Sequence, residues 1–162
     1  MNPLLIQGNQ AIDFNGLTEE HIREAAETIQ QTTREKLEAI KNLPDAERNF
    51  SNTMEALDAA MDGLGKVFSS IFLTGYVHPD KAPRDTALQQ IPVLDKFNNA
   101  LTMDVELYKA VKAYSETEEA RQLKGYRKKF LEDTMLDFSK NGLDLPEEQR
   151  KEVERVKNEL SE

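Results

Sequence analysis

Hydrolysis, metal binding and nucleophilic attack each need particular side chains in particular company, and this chain offers few. It has two histidines, His21 and His78, and no cysteine. Without cysteine there is no disulfide, thiolate metal site or thiol nucleophile. His21 opens the run His21-Ile22-Arg23-Glu24, which lacks the adjacent glutamate and the second histidine four residues on that a helical zinc site requires. His78 precedes Pro79 in a turn. Two such separated imidazoles would leave a zinc ion mostly to carboxylates, a poor match to its preferences. His21 therefore reads as a polar boundary residue of a first helical turn, and His78 as a loop residue.

Carboxylates are plentiful, in the pairs Glu19-Glu20, Glu118-Glu119, Glu132-Asp133 and Glu147-Glu148. The repeated glutamate–histidine pairing of a helical di-iron site is missing. The pairs fall near helix starts or opposite apolar stripes, where they are solvated surface rather than acid–base groups with shifted pKa values. There is no Gly-x-Ser-x-Gly elbow. Gly63-Leu64-Gly65 lacks the third glycine and the preceding strand of a dinucleotide loop. The basic run Arg127-Lys128-Lys129 is followed within two turns by Glu132, Asp133 and Asp137, the pattern of an ion-paired helix face. A stripe of Met54, Met61, Phe68 and Phe72 could line a partner groove, but its helical spacing reads as core. On the residues alone, no catalytic, metal-binding or cofactor-binding residue is assigned and no cofactor is expected.

The elements that would have to position any site are helices. Apolar Ile22, Ala26, Ile29, Leu37 and Ile40, with Thr33 in register, recur at three- and four-residue steps behind a Thr18 cap, and Pro44 ends the run. A second helix opens at Asn52, with Glu55 completing a capping box, and carries Met54, Leu57, Met61, Leu64, Phe68, Ile71 and Phe72 towards Gly75. Gly63 and Gly65 either weaken it or admit a neighbouring helix closely. A third apolar face runs from Ala82 to Tyr114 through Leu88, Ile91, Leu94, Phe97, Leu101, Val105, Tyr108 and Val111, and Pro92 predicts a kink or break near residues 88–92. Ser115-Glu116-Thr117-Glu118 opens a fourth helix carrying Ala120, Leu123, Tyr126, Phe130, Leu131, Met135 and Phe138, and Asn141-Gly142 ends it. Pro146 starts a fifth, with Val153, Val156 and Leu160. No stretch alternates like a strand. The expected architecture is all-α, with four or five long amphipathic helices in a bundle. Residues 1–17 form an irregular segment marked by Asn2-Pro3, Gly8-Asn9 and Asn15-Gly16. Residues 18–162 are expected to form one helical domain, cut inside its last helix.

The 162 residues suffice for a real core, and 30 acidic against 21 basic residues leave a net charge of −9 that argues against a nucleic-acid partner. No run approaches a membrane span, so no membrane partner is expected. Met1 to Gln10 holds no secretory pattern. A cytoplasmic location is expected, a removed leader on a longer parent being the alternative.

Several short segments, in order, resemble a known family. They are Asn2-Pro3-Leu4-Leu5, Phe14, Glu20-His21-Ile22 leading into Ala25 and Ala26, and Phe50-Ser51-Asn52-Thr53-Met54-Glu55-Ala56-Leu57-Asp58. Leu64, Phe68, Pro83-Arg84 and Leu107-Tyr108-Lys109-Ala110-Val111 follow, then Phe138 through Gly142-Leu143-Asp144-Leu145-Pro146-Glu147-Glu148. Their order and spacing resemble the thimet oligopeptidase-like (M3) zinc metallopeptidases, of the oligopeptidase A or dipeptidyl carboxypeptidase type. The resemblance implies an N-terminal helical region forming part of one wall of a deep channel, opposite a zinc-bearing catalytic domain that cleaves short peptides. That family's helical His-Glu-x-x-His and downstream glutamate are absent here, so no catalytic or metal residue carries over. This chain alone is then not an enzyme, and its expected partners are the missing catalytic domain of the same polypeptide and, through it, short peptides. Two rivals stay open: a freestanding acidic helical protein-interaction module, and a small carboxylate-based enzyme.

Overall fold

The computed structural model describes residues 2–5 and 11–160, and these contain helices and turns but no strand. The helices are α1 (Glu19–Lys41), α2 (Ala56–Val77), α3 (Lys81–Thr102), α4 (Val105–Ser115), α5 (Glu118–Gln122), α6 (Gly125–Lys140) and α7 (Glu147–Leu160). A 3-10 turn at Asp45–Glu47 and a π-helical turn at Phe50–Glu55 lead into α2. The all-α expectation holds. The expected turn at Gly8-Asn9 and the side chain of Leu160 lie outside the described residues. The chain forms two compact units, one of Met1–Glu38 with Leu57–Asn98 and one of Ala39–Ala56 with Asn99–Glu162.

In the first unit α1 buries Ile22, Ala26, Ile29, Thr33 and Leu37, the expected stripe. Thr18 caps it, its hydroxyl accepting from the His21 N–H at 3.2 Å, while His21 Nδ1 accepts from the Thr18 N–H at 3.3 Å. Histidine here takes the reciprocal role that glutamate plays in a capping box. The Asn2 side chain donates to the His21 carbonyl at 2.7 Å and to Glu24 Oε2 at 3.0 Å, which seats buried Leu4 against this end of the unit.

On α2 the buried row is Leu57, Ala60, Leu64, Val67, Ile71 and Thr74, which alternates steps of three and four. This corrects the expected stripe: Met61 and Phe68 are half-buried, and Phe72 is 47% exposed. Residues repeating at four advance about 40° past a full turn at every step, so Phe68, Phe72 and Tyr76 drift off the seam. The Met/Phe stripe is therefore core only at its Met54 end. The close helix approach also lies elsewhere than expected. A Cβ on Gly75 would come within 3.2 Å of Leu88 Cδ2 and 3.3 Å of Ile91 Cδ1, whereas one on Gly63 would meet Ile29 Cδ1 at 3.7 Å and one on Gly65 nothing within 4 Å.

The third apolar segment is interrupted at Met103 and Asp104, not at Pro92, where helix α3 is continuous. Pro92 lies on an exposed position, where the carbonyl it leaves without a donor can meet water. In the second unit Asp104 starts α4, its carboxylate accepting from the N–H groups of Glu106 at 3.0 Å and Leu107 at 2.9 Å. Leu107, Ala110, Val111 and Tyr114 are buried along α4. The expected fourth helix is two helices. Thr117 rather than Ser115 is the cap of α5, accepting from the Ala120 N–H, while Ser115 Oγ donates back to the Lys112 carbonyl. Gly125 then takes a φ of +58° and restarts the chain as α6, which resets the helical phase. Tyr126, expected on the apolar face, is 76% exposed as a result. Asn141-Gly142 ends α6 as expected. Gly142 has φ +81°, its N–H donates to the Ser139 carbonyl, and the Leu143 N–H donates to the Phe138 carbonyl, a Schellman closure.

Candidate functional site

The chemistry-capable residues are placed apart and engaged. His21 holds the start of α1 as described. His78 is buried after α2; its Nδ1 accepts from the Asp80 N–H at 3.1 Å and its Nε2 bonds the Phe14 carbonyl at 3.0 Å. Both ring nitrogens are thus used in tying the N-terminal segment to the α2–α3 turn, and the sequence reading of His78 as a plain loop residue missed this role. A buried histidine joining two segments leaves no periodic trace, so only the fold shows it.

The carboxylate pairs serve helix surfaces. Glu19 Oε1 accepts from Arg23 at 3.1 Å and from Thr86 Oγ1 at 3.1 Å. Lys128 pairs with Glu132, Lys129 with Asp133 and Lys151 with Glu147. The hydrogen bond and charge of Lys151 hold the Glu147 carboxyl below its usual range. The basic run is the ion-paired face expected, Arg127 reaching Glu55 at 3.3 Å. Among the described residues no three of His, Asp and Glu gather as a metal site. With both ring nitrogens of His78 and the Nδ1 of His21 engaged by backbone groups, these residues do not fit zinc.

Two places in the second unit concentrate polar chemistry. The first is the π-helical turn. Asn49 and Asn52 exchange backbone-to-side-chain bonds of 2.8 and 3.0 Å, and Asn52 Nδ2 also donates to the Glu47 carbonyl at 2.9 Å. The capping box is therefore Asn49 with Asn52, three residues before the expected Asn52 with Glu55. Asn-x-x-Asn is readable in the sequence, but its second asparagine also suits a cap, and the pattern alone does not decide. The Phe50 N–H donates to Glu119 Oε2 at 3.1 Å, and its ring meets Tyr114 edge-on at 6.5 Å with the Arg127 guanidinium 4.8 Å from its centroid. The Tyr114 hydroxyl is fully buried beside the Glu119 carboxylate, with no partner in good hydrogen-bond geometry. Burial, and then the charge of Glu119, push its pKa up to about 12.

The second place is an open cleft of about 380 Å3 lined by Lys41, Leu43, Pro44, Asp45, Arg48, Glu106, Lys109 and Ala110. Arg48, 8% exposed, is built into its wall. It donates to the carbonyls of Ile40 at 2.8 Å, Lys41 at 3.3 Å and Leu43 at 2.8 Å, and to Asp45 at 2.9 Å. A guanidinium at a helix C-terminus meets the negative end of the helix dipole and the carbonyls that have no helical donor. Lys41 pairs with Asp104 at 2.9 Å and Lys109 with Glu106 at 2.8 Å. This cleft is an ion-paired recess that closes a helix end, and it holds no nucleophile with an activating base.

Several of the segments singled out by their resemblance are joints of the fold, while Leu64 and Leu107–Val111 lie inside α2 and α4. Asn2, His21, Asn52 and Gly142 cap or close helices. Pro83 is buried, and Arg84 donates to the His78 carbonyl at 2.9 Å.

No protein-family model matches the chain. It is 27% identical over 145 residues to a thimet-like oligopeptidase of Dictyostelium discoideum, covering 88% of this chain and 22% of that protein. It is 25% identical over 161 residues to oligopeptidase A of Escherichia coli (strain K12), and 27% identical over 162 residues to oligopeptidase A of Haemophilus influenzae. Each of those matches covers 99% of this chain and 23% of the relative. The chain spans less than a quarter of the length of these relatives.

Proposed function

We propose that this chain, a distant homologue of one segment of the M3 oligopeptidases, is the N-terminal, non-catalytic helical part of a peptidase that hydrolyses short peptides. Its work there is to contribute a wall of the substrate channel, while a zinc-bearing catalytic part does the hydrolysis in the cytoplasm. The observation that carries this reading is the span of the similarity: it runs through 99% of this chain yet through 23% of the relative. The placement of the segments that carry the resemblance supports it as well. Several of them close helix ends and turns, which is the work of a scaffold rather than of a catalytic site.

Zinc is assigned to the catalytic part, since this chain's own histidines are committed to capping and to tying the N-terminal segment. Among the described residues no helix is long and apolar enough to cross a membrane.

The test is metal analysis and peptidase assay on the purified 162-residue chain, beside a native-mass measurement on the protein taken from its own cells. The expected results are no stoichiometric zinc, no cleavage of short peptides, and a native mass several times 18.5 kDa. One tightly held zinc per chain with chelator-sensitive cleavage would overturn the division of labour. A native mass of 18.5 kDa would favour the freestanding module.

A further inference from the structure

Among the described residues, exposed large apolar side chains gather on the C-terminal half of α2. Phe72 is 47% exposed, Leu73 44%, Tyr76 64% and Val77 62%. Leu88, 42% exposed, packs at Gly75 and carries the surface onto α3. Single exposed apolar residues are ordinary, but five in one place mark an interaction surface. The aromatic residues are also ordered in advance. Phe68, Phe72 and Tyr76 form a ladder with centroids 6.4 and 4.8 Å apart, so little side-chain freedom remains to be lost on docking. Large, pre-ordered aromatic side chains are what protein interfaces use as anchors.

We infer that this row, Phe72, Leu73, Tyr76 and Val77 with Leu88, is the face on which the first unit packs against the rest of the oligopeptidase polypeptide, an inference that rests on the function proposed above. Two observations select that occupant. The relatives carry more than three quarters of their length outside the matched segment, a body large enough to cover the row. The row itself bears no charge, and it lies on a chain of net charge −9, which opposes an anionic lipid surface. A partner that is itself an apolar protein face meets neither obstacle.

The experiment places a photo-crosslinking benzophenone amino acid at Phe72 or at Tyr76 in the natural gene, with Lys128 as the control position, and maps the products by mass spectrometry. The expected result is a crosslink from residues 72 and 76, and none from 128, to peptidase sequence outside residues 1–162. The double variant Leu73→Asp/Tyr76→Asp should lower the yield of assembled peptidase at least tenfold while the purified 162-residue chain keeps its helical circular dichroism. Crosslinks to a second copy of the segment, or none in a protein of full peptidase mass, overturn this face and leave the proposed function standing. A native mass of 18.5 kDa with no peptidase body attached overturns both.

Discussion

The two units reach the same end, closed helix termini around an apolar core, with different chemistry. The first closes its joints chiefly with uncharged side chains bonded to backbone: Asn2 to the start of α1, Thr18 with His21, and His78 to Phe14 and Asp80. The second relies on charge. Among the described residues Arg48 is the charged side chain that is buried, and Lys41 with Asp104 adds an ion pair at 17% and 19% side-chain exposure. Phe50 sits between Tyr114 and Arg127, with Glu119 on its backbone. The difference teaches where each unit is brittle. A neutral hydrogen bond lost costs about 1 kcal/mol, whereas a buried cation removed from its partners costs several.

The largest expected effect therefore belongs to the second unit. Arg48→Met removes the side-chain donor of three carbonyls and the buried end of the Asp45 pair at once, and urea unfolding should show a loss of about 2–4 kcal/mol. Arg48→Lys should recover less than half of it, because an ammonium cannot span the carbonyls that the planar fork reaches. Hydrogen exchange sharpens the comparison: amides in Ala39–Ala56 should lose protection first, with those in Leu57–Asn98 holding. Equal loss throughout would mean that the two units unfold as one and that their chemical difference has no consequence. Next comes His78→Ala in the first unit, which takes from the Phe14 carbonyl and the Asp80 N–H their bonds to the ring, empties its buried site, and should cost about 1–2 kcal/mol. Its exchange pattern should be the mirror image, centred on residues 11–17 and the α2–α3 turn. Asn52→Ala follows at about 1–2 kcal/mol, since it removes one half of the reciprocal cap on the π-helical turn and the bond to Glu47.

Legibility in the sequence divides along the same line. The α1 stripe could be read residue by residue because a 23-residue helix with one buried face imposes its period on everything in it. In the second unit, helices of 11, 5 and 16 residues are set by single side chains and one glycine. Asp104 interrupts an apolar face that looks continuous on paper, and Gly125 restarts a helix that the apolar spacing runs straight through. The error on α2 has another source. Phe68 and Phe72 are as apolar as core residues, and only the alternation of three- and four-residue steps separates the seam from the exposed row. The candidate site was legible as a pattern of family segments, but not as a set of bonds. Asn49, Glu119 and Arg127 are polar residues whose partners lie 3, 69 and 72 positions away, and the two longer separations have no local signature.

Tyr114 supplies the smallest effect and the only one of opposite sign. Its hydroxyl is buried without a partner in good hydrogen-bond geometry, so Tyr114→Phe removes a poorly satisfied polar group while keeping the ring against Phe50, and the protein should gain a few tenths to about 1 kcal/mol at neutral pH. The pH dependence gives an independent sign. The folded phenol titrates near 12 against 10.0 for an unhindered tyrosine, so between those values the unfolded chain has released a proton that the native chain still holds. The native state binds more protons in that window, and stability must fall as pH rises through it. Below pH 10 both states keep the proton and this contribution is constant. The Tyr114→Phe variant lacks the titrating group, so its denaturation midpoint should decline less steeply than that of the parent chain between pH 10 and 12. Parallel declines would mean that the hydroxyl reaches solvent or a partner, and that Tyr114 does not share the stranding of the buried Thr33 hydroxyl in the first unit.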